Sequence, residues 1–163
     1  DAQADTYLAM CGELRRHGFE HYEISNFALS GFRSRHNSRY WDLSEYIGLG
    51  PGAHSLFGGR RFAFPRDIAA FIDGTAAVRN EEEVPDFERQ NEYLMVRLRT
   101  SDGVDLRDLE KRYHIDSTPY EKVFSALRRP GLTEKSGTRW HLTEAGFLVS
   151  NSIINMITDA ASR

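Results

Sequence analysis

The sequence predicts an α+β protein of mixed helices and strands, arranged in two parts that span residues 1–84 and 85–163. In the first part, stretches with helical spacing of apolar residues are followed by short stretches that alternate as strands do. The second part is dominated by helical spacing. A glutamate-rich segment near residue 84 separates the two. At 163 residues, 40% hydrophobic, the chain can form one ordinary domain or two small ones.

The first part begins with a predicted helix over residues 4–17, which ends at Gly18. Residues 20–27 alternate in polarity, so we expect one strand there. Residues 28–42 are polar, rich in arginine and aromatic, and we expect an ordered loop with room for a short helix. These elements place the most unusual side chains of the chain on a loop.

The rest of the first part is rich in glycine. Residues 45–57 are expected to form a strand that enters a tight bend, and residues 60–64 form another short strand. Pro65 is predicted to start a helix that Gly74 ends. Residues 75–85, with three consecutive glutamates at 81–83, are interpreted as a connector.

The second part is predicted to hold several helices and one hairpin. Leu94 and Leu98 lie on one stripe of a first helix, and Asp105 is expected to cap a second. Residues 118–121 read TPYE, which predicts a capping box at the start of a third helix. Residues 132–142 are expected to fold back as a hairpin, followed by one last long helix. Three helices with a hairpin are typical of a winged-helix-like module.

Composition excludes several classes of protein. A single cysteine, Cys11, cannot build a disulfide framework or a multi-cysteine cluster site, and we interpret it as a small buried helix residue. A net charge of −3, without a basic patch, is not typical of a nucleic-acid-binding surface. The sequence shows no signal peptide and no apolar run of membrane-spanning length, so we expect a cytoplasmic protein without a transmembrane segment.

The most informative stretch brings an imidazole, an amide, a phenol and an indole within six positions, on His36, Asn37, Tyr40 and Trp41. A neutral imidazole can ligate a heme iron axially, and aromatic rings offer flat faces to a macrocycle. Nearby guanidinium groups could pair with propionates, on Arg33, Arg35 and Arg39. The alternative is structural, with polar groups bonded to the loop backbone and rings packed as anchors. By spacing alone, that alternative is the commoner one.

Two further features of the first part could bind a ligand. The glycine-rich bend at Gly48, Gly50 and Gly52 could let backbone N–H groups approach a nucleotide or a carboxylate, although backbone geometry alone explains the pattern equally well. Glu23 and His54 could face the interior of a barrel and bind ligand or move protons there. The alternative for each is a structural role.

Three segments occur in an order that resembles the HemW family: HYEISNFA at residues 21–28, HNSRYW at 36–41 and YIGLGPGAH at 46–54. The resemblance continues in the second part, at residues 93–99 and 103–106. It therefore covers essentially the whole chain, and the joint occurrence of the three segments makes it specific.

This resemblance implies that residues 1–84 are the end of a partial (β/α) barrel of the radical-SAM type, and that residues 85–163 are a HemN/HemW carboxy-terminal domain. The family binds a 4Fe–4S cluster through a CxxxCxxC segment, together with S-adenosylmethionine. No cluster ligand is present here, so both cofactors would belong to the full-length protein and its missing amino-terminal barrel half. The fragment alone is expected to be catalytically inactive.

By the same resemblance, His36 is the candidate ligand of heme iron, and Tyr40 and Trp41 are pocket residues. The leading hypothesis is a heme-binding and heme-delivery protein that passes heme to an acceptor protein. The alternative is an oxygen-independent coproporphyrinogen III oxidase, which carries out an oxidative decarboxylation in porphyrin biosynthesis. A weaker alternative is a winged-helix docking or DNA-binding module; DNA is not an expected partner, because residues 85–163 are charge-balanced.

Overall fold

The computed structural model describes residues 2–77, 79–83 and 86–160. Helices and strands are mixed throughout, which confirms the α+β class. The first part contains α1 (Ala2–Arg16), β1 (Phe19–Glu23), β2 (Asn26–Leu29), α2 (Arg35–Trp41), β3 (His54–Phe57), β4 (Arg60–Ala63), α3 (Ile68–Ile72) and β5 (Arg79–Glu83). The second part contains α4 (Asp86–Arg97), β6 (Val104–Asp105), α5 (Leu106–Tyr113), α6 (Thr118–Arg128), β7 (Thr133–Ser136), β8 (Arg139–Leu142), α7 (Glu144–Leu148) and α8 (Ser150–Asp159).

The named strands form three small antiparallel sheets, with orders β1-β2, β3-β4-β5 and β6-β8-β7. The described residues contain no closed barrel, and none of their paired strands runs parallel. The predicted boundary between residues 84 and 85 lies outside the described residues. Division of the chain into two domains therefore stays a prediction.

The prediction of one strand over residues 20–27 is wrong, because β1 and β2 form a hairpin instead. The chain reverses at Ile24 and Ser25. The carboxylate of Glu23 accepts the backbone N–H of Ser25 at 3.1 Å and the side-chain amide of Asn26. These local bonds stabilise the turn, and alternation of polarity continues through it, which is why the pattern resembles one strand.

Three other predictions in the first part need correction. The strand expected over residues 45–57 is limited to β3, with an isolated bridge at Tyr46. Asp67, and not Pro65, begins α3, since its side chain accepts the N–H of Ala70 at 3.0 Å. The expected connector contains β5, which pairs with β4. Charged residues such as those of β5 carry no strand signal in sequence, and only pairing reveals it.

In the second part, Asp105 caps α5 as predicted and accepts two backbone N–H groups. The capping box predicted at residues 118–121 does not form. Glu121 instead accepts the indole N–H of Trp140 at 2.7 Å and pairs with Lys135. The hairpin over residues 132–142 is confirmed as β7 and β8.

The last long helix is in fact two, α7 and α8, which meet at Val149. Thr143 caps the first of them through the N–H of Gly146 at 3.0 Å. None of the helices in the described part of the chain combines the length and the hydrophobicity that a membrane span requires.

The hydrophobic core lies in the second part. Phe124 and Trp140 stack at its centre, with ring centroids 5.4 Å apart. From the first part, Ile24 and Leu43 pack against this core. Among the described residues of the first part, few hydrophobic side chains are buried: Cys11, Tyr22 and Ala28. The first part is therefore packed against the hydrophobic core of the second part.

Candidate functional site

Helix α2 carries the four side chains that the sequence analysis singled out. Ser34 caps it, and its hydroxyl accepts the N–H of Asn37 at 3.2 Å. His36 and Tyr40 are four residues apart and so share one face of the helix. The Tyr40 hydroxyl lies 3.0 Å from His36 Nε2, and the two rings meet edge to face with centroids 5.1 Å apart.

The other two side chains take a different direction. Trp41 is five positions from His36, about 140° around a helix with 100° per residue. Asn37 and Trp41 are half-buried, whereas His36 and Tyr40 are exposed. The Trp41 indole N–H is buried and has no hydrogen-bond partner within the described part of the chain. The structure thus brings His36 and Tyr40 together and does not place Trp41 beside them.

A cavity of about 630 Å³ opens beside His36. Its lining is rich in arginine and comprises Arg33, Arg35, His36, Ser38, Arg39, Asp42 and Ser44. Arg33 is held by Glu20 and Asp102, each at 3.1 Å. Although burial alone would lower the pKa of Arg33, these two carboxylates raise it above its usual value. Within the described residues, Arg35 and Arg39 form no ion pair, although Arg39 donates to the carbonyl of Glu45 at 3.2 Å.

Apolar side chains lie near this cavity. The Tyr46 ring contacts the Tyr40 ring with centroids 4.6 Å apart, which brings the loop after Tyr46 close to α2. That loop exposes Ile47 and Leu49, the latter at 89%. Phe32, just before the arginine segment, is 79% exposed. These exposed apolar side chains are available to a ligand or a partner. Sequence reasoning missed Tyr46, because nothing local links it to Tyr40.

The glycine-rich bend is explained by backbone packing. A side chain on Gly48 would place its Cβ 2.2 Å from the carbonyl oxygen of His54. The N–H of Gly48 donates to Ser55 Oγ at 3.0 Å, and that of Gly52 donates to the carbonyl of Phe64 at 3.1 Å. These two N–H groups are therefore used within the protein and do not point at a ligand. Gly50 adopts a φ of 115°, which favours glycine.

Glu23 and His54 occupy unlike environments. Glu23 is 1% exposed, and its carboxylate is bonded to the turn between β1 and β2. Its backbone forms an isolated antiparallel β-bridge with Thr100 in the second part. His54 is exposed at the start of β3. Neither Glu23 nor His54 contacts His36 or Tyr40 in the described part of the chain. The role of Glu23 is therefore to stabilise the turn between β1 and β2.

A buried arginine anchors the end of α2. Arg97 of α4 is 9% exposed, and its guanidinium contacts Asp42, the last-turn cap of α2, at 2.8 Å. Its Nε donates to the carbonyl of Gly103 at 3.1 Å. No sequence signal could have identified this contact, since the two residues are 55 positions apart. The second part thereby positions the helix that carries His36.

Comparison with known proteins identifies relatives of the chain. Residues 85–149 match the family described as HemN C-terminal domain. The heme chaperone HemW of Bacillus subtilis is 31% identical over 159 residues, covering 94% of this chain and 42% of that protein. A mitochondrial radical S-adenosyl methionine domain-containing protein 1 of Mus musculus is 47% identical over 57 residues, 35% of this chain and 13% of that protein.

Among solved structures, the coproporphyrinogen III oxidase HemN of Escherichia coli, described as a radical SAM enzyme, has a similar fold. The TM-score is 0.67 at 13% identity, covering 93% of this chain and 39% of that one. The chain thus spans about two fifths of the length of these larger proteins. The comparisons therefore assign residues 85–149 to the family described as HemN C-terminal domain, and they show that nearly the whole chain is similar to part of the heme chaperone HemW.

Proposed function

We propose that this chain is the heme-binding part of a HemW-type heme-delivery protein and that His36 is the axial ligand of the iron. The observation that supports this most directly is the exposed His36 imidazole at the edge of an arginine-lined cavity. We infer that the bound molecule is heme because the relatives are named heme chaperones. Delivery implies a heme-acceptor protein as the partner.

The chemistry of the cavity suits a porphyrin. An iron needs one imidazole nitrogen, and His36 offers two, of which Nε2 is shared with Tyr40. Carboxylate groups of the porphyrin would pair with Arg35 and Arg39 at the rim. Exposed apolar groups at Phe32 and Leu49 would cover part of the macrocycle. Asn37 and Trp41 would support the helix from its half-buried side.

The 4Fe–4S cluster does not fit these residues. Such clusters are held by several cysteine thiolates, and the sequence has one cysteine. The N–H groups of Gly48 and Gly52 are likewise used within the protein. We therefore assign the cluster and S-adenosylmethionine to the full-length protein and derive no step through them. By the same reasoning, radical chemistry is not assigned to this chain alone.

The topology of the second part supports a winged-helix-like assignment for residues 86–142. The order α4-β6-α5-α6-β7-β8, with β8 between β6 and β7, is the arrangement in which a hairpin flanks a helical core. We propose that residues 2–77 complete the end of a partial barrel in the full-length protein. A cytoplasmic location stays a prediction.

The two other hypotheses have less support. Likeness to the HemN oxidase rests on fold, since 13% identity carries no argument about its reaction. For DNA binding, the surface between α5, α6 and the hairpin places two carboxylates, Glu110 and Glu121, among its four cationic side chains: Arg107, Lys122, Arg129 and Lys135. Glu121 also pairs with Lys135. A duplex phosphate backbone would meet carboxylates there, which is unfavourable.

Heme titration followed by the Soret absorption tests the proposed ligand. In the full-length, cluster-loaded protein, His36→Ala is expected to weaken heme binding by about tenfold or more and to shift the Soret maximum, because the iron loses an axial nitrogen. His17→Ala, at another exposed helix-end histidine, serves as the control and should leave both unchanged. Equal affinity and an identical spectrum for His36→Ala would show that His36 is not the ligand.

A further inference from the structure

A second group of potential ligands lies on other elements. Cys11 of α1, His21 of β1 and Glu144 of α7 place their thiol, imidazole and carboxylate atoms within 4.8 Å of one another. They are 10 and 123 positions apart along the chain, so only folding brings them together. None of the three belongs to the proposed heme site.

The imidazole of this group is fixed in orientation but weakly bonded. His21 stacks on Phe27 with centroids 4.3 Å apart and meets Phe147 edge to face at 5.1 Å. Its Nδ1 is buried without a hydrogen-bond partner in the described part of the chain. Its Nε2 has a long contact, 3.3 Å, with the Tyr7 hydroxyl. A buried nitrogen without a partner is costly unless something binds it.

The Cys11 thiol is bonded to the same Tyr7 hydroxyl that contacts His21. Cys11 is 1% exposed, and burial, reinforced by the Glu144 carboxylate, raises the pKa of its thiol. Burial lowers the pKa of His21. Glu144 also pairs with Arg15, whose side chain is 66% exposed. An ion pair with so exposed a partner contributes little free energy, so the Glu144 carboxylate can turn to another cation at low cost.

We infer that Cys11, His21 and Glu144 form a binding site for a zinc-class transition-metal ion. Thiolate, imidazole and carboxylate are the ligands that Zn²⁺ takes in proteins, at about 2.0–2.3 Å. Tetrahedral ligand atoms would then lie about 3.5 Å apart, so side-chain movements of about 1 Å close the site. A fourth position stays open to water. The metal would clamp α1 and β1 of the first part onto α7 of the second.

Cobalt substitution tests this site. The sequence has one cysteine, so in a 1:1 complex of the monomer any cobalt–thiolate charge-transfer absorption must come from Cys11. We expect one equivalent of Co²⁺ to develop this band in the 163-residue chain and Zn²⁺ to displace it. Cys11→Ala should abolish the band. Absence of a band at saturating Co²⁺ would overturn the proposal.

Cys11 is buried, so a second variant at a less buried ligand separates loss of metal binding from misfolding of Cys11→Ala. The side chain of Glu144 is 25% exposed, so Glu144→Gln should fold, as circular dichroism would verify, and should weaken Co²⁺ affinity about tenfold or more. Glu134→Gln, at an exposed hairpin carboxylate, is the matched control and should bind as the unmodified chain does. Unchanged affinity in Glu144→Gln would overturn the three-ligand site. Because His36 is not involved, failure here leaves the heme proposal standing.

Discussion

The pair His36 and Tyr40 is the smallest unit on which the proposed heme site depends. Their hydrogen bond, at 3.0 Å between Tyr40 Oη and His36 Nε2, occupies the nitrogen that iron would take in this orientation. Both side chains are exposed, so breaking the bond exchanges it for water. Tyr40 therefore competes with the metal, while its ring remains available to the macrocycle.

Tyr40→Phe isolates this competition, because the ring is kept and the hydroxyl is lost. We expect heme to bind up to about fivefold more tightly, since a net hydrogen bond of about 1 kcal/mol no longer has to be broken. Heme titration of the variant beside the unmodified protein measures the change. Tyr46→Phe controls for loss of a hydroxyl on the contacting ring. Weaker binding of Tyr40→Phe would instead indicate ligation through Nδ1, with Tyr40 supporting the imidazole.

At the scale of elements, α5 shows how one side chain joins a helix to a sheet. Asp105 ends β6 and caps α5 through the N–H groups of Arg107 and Asp108. It also accepts the hydroxyl of Thr138, at 2.9 Å, from the turn of the hairpin. Burial alone would raise the pKa of Asp105, but these hydrogen bonds and Arg139 lower it below its usual value.

The lowered pKa of Asp105 predicts acid sensitivity of this junction. A carboxyl whose folded pKa is lowered stabilises the protein above its unfolded pKa, about 3.9, and this contribution is lost as the pH falls through the folded pKa. Urea unfolding between about pH 5 and pH 2 should therefore show a smaller loss of stability for Asp105→Asn than for the unmodified chain. Asp159→Asn, at an exposed helix end, should follow the unmodified chain. Parallel curves for all three would contradict the assignment.

At the scale of the whole molecule, the first part depends on the second. Backbone bonds join them, from the N–H of Ile24 to the carbonyl of Arg99 at 2.8 Å and from that of Ser101 to Tyr22 at 3.0 Å. Arg97 adds the contact to Asp42 at the end of α2. Most of the buried hydrophobic side chains lie in the second part. The polar contacts between the two parts therefore contribute much of the stability of the first part.

Arg97→Ala tests this dependence. The change removes a buried guanidinium and leaves the Gly103 carbonyl without its donor, so we expect the free energy of unfolding to fall by about 2 kcal/mol. Amide hydrogen exchange in α2 should become faster than in the unmodified chain. Arg107→Ala, at an exposed position, should change stability by no more than about 0.5 kcal/mol. Unaltered exchange in α2 would show that its order does not depend on Arg97.

Much of the second part was predictable from local pattern. The helices around Leu94, Asp105 and Phe124, and the hairpin over residues 132–142, follow from hydrophobic periodicity, a capping residue and turn glycines. The same reasoning failed where one local sequence pattern is compatible with two different structures. A TPYE segment satisfies a capping box, but Glu121 is drawn to the indole N–H of Trp140, 19 positions away. Likewise, the alternating polarity of residues 20–27 fits both a single strand and a hairpin, and it does not indicate the position of the turn.

The sequence by itself determined the α+β class, most of the helices and, through the motif from His36 to Trp41, the segment that the proposed function rests on. Those properties depend on residues within a few positions of each other, whose geometry is set by helix and turn periodicity. Only the tertiary structure separated His36 and Tyr40 from Trp41 in exposure and joined Arg97 to Asp42. It also placed the side chains of Cys11, His21 and Glu144 next to one another. Such contacts depend on packing between distant elements, which no local pattern encodes.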